Sequence, residues 1–172
     1  MNLDMFWELI EKAKQEANGS LEKQTAILID ILSEFELNDI IEFEALYVQK
    51  QDEAYHQLLW EVCDFITCGG GEQNFLDFRA WLIAQGKDIF TRALENPDSL
   101  HNILDSESRE DARYELFSYV ASKAYSAKTG GKPIPFSGPF ADALHGEGLD
   151  ANQSIQEVFP NLYSKLSECP EY

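Results

Sequence analysis

The chain reads CGGGEQNFLDFRAWLIAQG over residues 68–86. Three glycines run into an aromatic-rich segment that carries a single arginine. Such a run is either a loop that cradles a phosphate or a turn between two helices. A phosphate loop needs glycines at set offsets followed by lysine and a hydroxyl, and a dinucleotide fingerprint needs a strand before the glycines. Neither pattern is present. An amphipathic segment ends at Cys68, and no Lys-Ser or Lys-Thr follows. The run therefore reads as a helix stop. Gly69 or Gly70 supplies the left-handed residue that ends one helix, and Asn74 caps the next.

Helical periodicity extends on both sides of this turn. Leu3, Phe6, Trp7, Ile10 and Ala17 fall on one face of a first helix. Ser20 caps a second, with Leu21, Leu28, Ile31, Leu32 and Phe35 as its stripe. Asn38 caps a third, with Ile40, Phe43 and Tyr47 inward. Tyr55, Leu58, Leu59, Val62 and Ile66 make a fourth; Phe75, Phe78 and Leu82 a fifth; Phe90, Ala93 and Leu94 a sixth. Residues 108–127, with Leu116, Phe117, Val120, Ala121 and Ala124, read as a longer seventh. Strand alternation between turn signals is missing. The expectation is an all-α bundle of about seven to eight helices joined by short loops.

The texture changes at Thr129. Residues 129–154 hold three prolines and five glycines, so no regular helix runs through them. Pro133, Ile134, Pro135, Phe136 and Phe140 are apolar enough to pack back on the bundle, which favours an ordered loop over a linker. A last amphipathic piece over 155–172 carries Ile155, Val158, Phe159, Leu162 and Leu166, and Pro160 restarts it at a first helical position. The 172 residues suit one helical domain, with 1–128 as its core.

Charge is the unusual quantity. There are 31 acids against 13 bases, a formal net of −18. Such a surface repels nucleic acid and anionic lipid and attracts basic partners. No apolar run approaches the ~18 residues of a membrane span, and the N-terminus lacks a signal-peptide core. Three cysteines, an odd number, argue against a secreted disulfide framework. The chain reads as cytoplasmic. Cys63 and Cys68 have no zinc spacing and no nearby histidine, so neither a metal nor a cofactor is expected.

Residues 34–61 carry Glu34, Glu36, Asp39, Glu42, Glu44, Asp52, Glu53 and Glu61 against Lys50, a net of −7. One reading is a solvated helix face. The sharper one is a docking face for a basic protein, with Glu42, Glu44, Asp52 and Glu53 as binding acids and with Asp39, Glu42 and Glu53 mixed with Tyr47 and Tyr55 to grip lysine and arginine. An immunity or inhibitor protein against a basic toxin exemplifies that class.

The fifth helix offers an alternative. Asp77 and Trp81 are four apart and share a face, while Arg79 falls among Leu82 and Ile83 on the other side. An arginine among apolar residues either orders the bundle through a partner carboxylate, here Asp77, Glu72 or Asp98, or holds an anion at the mouth of a pocket lined by Trp7, Trp81 and Arg79. His56, His101 and His145 sit in no nucleophile or metal motif, and no Gly-x-Ser-x-Gly or His-Glu-x-x-His occurs. No catalytic residue is nominated.

Three blocks in order, MFWELIEKA, GGGEQNFLDFRAWLIAQG and IFTRALENPDSL, resemble the bacterial family called domain of unknown function 4240 over roughly residues 3–100. Gly71, Glu72, Gln73 and Asn74 replace the Cys-Ser-Asp-Asp-like run common there after the glycines, a departure that argues against a catalytic acid at these positions. The resemblance implies a small intracellular helical domain and carries no established activity.

Overall fold

The computed structural model describes residues 1–135, 143–150 and 152–166. Every regular element among them is helical. The α-helices are α1 (Leu3–Ala17), α2 (Leu21–Ser33), α3 (Leu37–Glu53), α4 (Gln57–Thr67), α5 (Gly71–Ala84), α6 (Lys87–Glu95), α7 (Val120–Thr129), α8 (Ile155–Val158) and α9 (Pro160–Leu166). Three 3-10 turns, Pro97–Asn102, Arg109–Arg113 and Glu115–Tyr119, connect α6 to α7.

The stretch 68–86 sets the architecture because α5 is its central helix. Phe75 and every residue from Phe78 to Ala84 are buried. A helix that is apolar on nearly all sides belongs inside the bundle. Around it pack α3, α4, α6 and the 109–113 and 115–119 turns, while α2 bridges α1 and α7 at one side. One connected cluster of buried side chains runs from Phe6 through Phe43, Phe75, Phe90 and Phe117 to Leu166.

The glycine run is a helix–helix turn, with its details shifted from expectation. Cys68, not a glycine, takes the left-handed position that ends α4, with φ of 57°. Gly69, Gly70 and Gly71 then continue at positive φ. Asn74 lies inside the first turn of α5 rather than at its cap. Its amide instead reaches back to Thr67 Oγ1 and, at 3.1 Å, to the Gly69 carbonyl, tying the start of α5 to the end of α4. Likewise α3 starts at Leu37 with Glu36 in the cap position, and Asn38 donates to Glu42 at 3.1 Å. Ser20 caps α2 as its sequence implies, accepting from the Lys23 N–H. Tyr55 precedes α4, whose cap is His56.

The long seventh helix is not formed. Residues 109–119 are two 3-10 turns, and α7 begins only at Val120. The stretch is engaged at α4 instead. The Phe65 and Ile66 carbonyls lie at its C-terminus, where no intrahelical N–H is available. Arg109 donates to Ile66 at 2.9 Å and to Phe65 at 3.2 Å, and Arg113 donates to the Thr67 carbonyl. Both guanidiniums thus converge on one helix end from the 109–113 turn, and Leu116 faces outward.

Beyond α7, Pro133 and Pro135 are exposed, whereas Ile134, Leu144 and Leu149 pack against the core. Phe136 and Phe140 lie outside the described residues. Pro160 opens α9 at its first position, as expected.

Candidate functional site

Arg79 projects from the middle of α5 toward the last turn of α3 and is 7% exposed. Its Nη1 donates to the Gln51 carbonyl at 2.7 Å, and its Nε to the Phe75 carbonyl at 3.3 Å. The guanidinium carbon stands 4.7 Å from the Tyr55 ring centroid and 4.8 Å from that of Phe75. Gln51 lies within the last four residues of α3, where carbonyls lack intrahelical donors and the helix dipole is negative. Arg79 is thus a C-terminal cap for α3 supplied by α5. Burial pushes its pKa down, and Tyr47, Tyr55 and Asp52 oppose that shift.

This corrects the expected pairing. Among the described residues no hydrogen bond or ion pair joins Arg79 to Asp77, Glu72 or Asp98. Asp77 is two positions away on the same helix, so it faces elsewhere, and it accepts from Gln73 at 3.1 Å. Asp98 is occupied by the start of α9. Carbonyl dipoles and ring faces solvate the buried cation, with the Asp52 carboxylate adding its favourable field.

Beside Arg79 lies a buried polar chain. Gln51 Nε2 donates to Tyr47 Oη at 2.6 Å, and Tyr47 Oη lies 2.9 Å from Ser118 Oγ. Burial pushes the Tyr47 phenol up to about 12. The same cause takes the Cys63 thiol to about 12. Neither group is ionised near neutral pH, so neither is poised as a base or nucleophile.

The expected Trp–Arg pocket is not assembled. Trp7 and Trp81 are core residues, 4% and 2% exposed. Trp7 packs on Phe6 at 5.0 Å and Phe90 at 5.4 Å, and Trp81 on Phe78 at 5.5 Å between centroids. Trp7 does touch an open groove of about 520 Å³, whose other walls are Asp4, Glu8, Glu11, Lys12, Gln15 and Lys87. Trp81 and Arg79 are not among those walls.

The acids of residues 34–61 divide into engaged and open groups. Asp39 Oδ1 lies 3.2 Å from the Met1 amine, which also pairs with Glu42. Glu53 takes Lys50 at 2.6 and 2.7 Å. Glu61 accepts the Leu149 N–H at 3.0 and 3.1 Å. Glu44 is half-buried, and desolvation raises its pKa to about 7. Glu34 and Glu36 are exposed at the α2–α3 connection.

A family model described as a protein of unknown function, DUF4240, matches residues 1–127. The chain belongs to the DUF4240 family. No curated protein and no solved structure matches it. The DUF4240 span holds Arg79, the acidic segment and nearly all of α1–α7, and it reaches past the three resembling blocks to take in Arg109 and Arg113. Residues 143–150 and 152–166 of this DUF4240 protein lie beyond the span.

Periodicity gave no hint of where the bases go. Lys14, Arg79, Arg109, Arg113, Lys128 and Lys165 all donate to backbone carbonyls. Arg92 does the same within α6, at the Asp88 carbonyl, which makes seven of the 13 bases in the chain. Five of them serve α-helix C-termini: Arg79 at α3, Arg109 and Arg113 at α4, Lys128 at Ser33 of α2 and Lys14 at the Gln85 cap of α5. No described helix is long and apolar enough to cross a membrane.

Proposed function

We propose that this protein is a non-catalytic interaction module that takes a basic protein partner on its acidic surface in the cytoplasm. One observation carries the reading. The 31 acids outnumber the 13 bases, a formal net of −18 that the placement of seven bases against backbone carbonyls does not change. The resulting field disfavours nucleic acid and steers a cationic surface inward. Within residues 34–61 Glu34, Glu36 and Glu53 are exposed and Glu42, Glu44 and Asp52 partly so, and together they supply the potential that a cationic surface meets. An immunity or inhibitor protein that restrains a basic toxin is one member of this class.

The test is capture from the native cell extract at low and moderate salt, with captured proteins identified by mass. Basic proteins held by the wild type at low salt, lost as salt rises and lost in the Glu34→Lys, Glu36→Lys double variant are the expected result. A charge-steered contact weakens this way because the screening length is only about 8 Å at physiological ionic strength. Identical partners held by both proteins at both salts would sink the reading.

A further inference from the structure

Among the described residues beyond α7, the chain fastens to the body at two places. At the first, the His145 N–H donates to the Tyr55 carbonyl and the Gln57 N–H to the His145 carbonyl, both at 2.9 Å. The Leu149 N–H then meets the Glu61 carboxylate. Backbone lies so close here that a Cβ on Gly148 would fall 2.7 Å from Gln57 Cγ.

The second fastening is different in kind. Asp98, 5% exposed in the Pro97–Asn102 turn, faces the start of α9. Its Oδ1 accepts the Leu162 N–H at 2.8 Å, and its Oδ2 accepts the Asn161 side-chain amide at 2.6 Å and the Asn161 N–H at 3.3 Å. At the other end of α9, Lys165 Nζ donates to the His101 carbonyl at 2.6 Å. Phe159, Leu162 and Leu166 are buried, and Tyr163 stacks on Phe65 at 6.0 Å and 13° between planes. Locally the segment organises itself, since Ser154 and Glu157 form a reciprocal capping box. The principal neighbour of α9 on the body is the 97–102 turn.

We propose that Ser154–Leu166 is a self-docked strap that opens as a unit, with Asp98 as its latch. Three buried apolar side chains and the partly buried Ile155 and Val158 are set against the entropy of ordering a dozen residues, a balance that puts the segment near the low-stability end of the molecule. Among the hydrogen bonds of the strap, a carboxylate accepting three N–H bonds is the strong contact. It meets the N–H groups that α9 cannot satisfy itself. Release bares the Phe65 ring and the apolar side of the 97–102 turn together with the Asp98 carboxylate, so the strap decides whether that face is presented. The proposal stands independently of the acidic-surface reading.

Hydrogen exchange of the full chain, read by fragment mass across low denaturant concentrations, tests it. In the wild type, amides of 155–166 exchange at least tenfold faster than those of α1 and α5, through an opening that leaves those helices protected. Asp98→Ala accelerates 155–166 at least a further tenfold with α1 and α5 unchanged, and Lys165→Met does so by less. Exchange of 155–166 in step with α5 in the wild type would mean the segment is part of the global unit and would overturn the strap. Unaltered exchange in Asp98→Ala, or equal acceleration of every helix, would overturn the latch.

Discussion

Arg79 Nη1 and the Gln51 carbonyl oxygen lie 2.7 Å apart across 28 positions of sequence. This contact ties the central helix to the end of α3 and satisfies a carbonyl that α3 cannot. Removing the side chain leaves that buried oxygen without a donor and strips the cation from between two rings. Arg79→Ala is expected to cost roughly 2–4 kcal/mol, the sum of an unsatisfied buried acceptor and lost charged hydrogen bonds. Arg79→Lys recovers only part, because an ammonium lacks the planar fork that reaches Phe75 and Gln51 together. Urea midpoints of both variants measure this. An unmoved midpoint in Arg79→Ala would return Arg79 to the list of ligand contacts.

The glycine turn makes a ranked prediction. Gly69 has φ of 87° with nothing within 4 Å of an added Cβ, whereas Gly70 has φ of 153° and its Cβ would fall 2.6 Å from Asn74 Cβ. Gly69→Ala bears backbone strain alone, about 1 kcal/mol. Gly70→Ala adds displacement of the amide that ties α5 to Thr67 and Gly69, and should cost about 1–2 kcal/mol more. Equal thermal midpoints would show that Asn74 does not hold the turn.

Helices α1–α6 were legible because their apolar spacing is local. Phe6, Trp7 and Ile10, or Leu28 and Leu32, recur at the helical period whatever they pack against. The Ser20 cap and the Pro160 restart were legible for the same reason. Residues 108–127 misled because Phe117, Val120, Ala121 and Ala124 keep a helical spacing that 3-10 turns also tolerate. What the spacing does not show is that Arg109 and Arg113 are tied to the α4 carbonyls, across more than forty positions. The site misled similarly. Trp7 and Trp81 look like pocket walls in a list of residues, yet an aromatic on a helical stripe is core when a neighbouring helix covers it. Arg79 was expected to need a carboxylate, because periodicity gives no sight of a carbonyl at the end of another helix.

The Cys63 thiol should be inert in the folded protein. Burial pushes its pKa to about 12, with Thr67 opposing through a hydrogen bond, so at pH 8 the thiolate is a trace species. Iodoacetamide at pH 8 should leave the Cys63 peptide unmodified until urea unfolds the chain. Native labelling at the rate of a free thiol would contradict its burial.

Glu44 makes stability depend on pH in an unusual direction for a carboxylate. Desolvation raises its pKa from 4.5 to about 7 in the folded state. Between those values the native state binds more protons than the unfolded one, so unfolding free energy falls as pH rises. The favourable contribution is complete below about pH 4.5 and gone above about pH 7. The loss should approach about 2 kcal/mol, less than the full linkage because part of the side chain meets water. Asp77 and Asp111 are also raised by burial, so the wild-type curve alone does not isolate Glu44. Glu44→Gln does, because it keeps the shape and removes the titration. The difference in urea stability between variant and wild type should be near its minimum at pH 4.5 and grow in favour of the variant up to pH 7.5. A flat difference across that range would place Glu44 in water and return it to the exposed acids that a basic partner would meet directly.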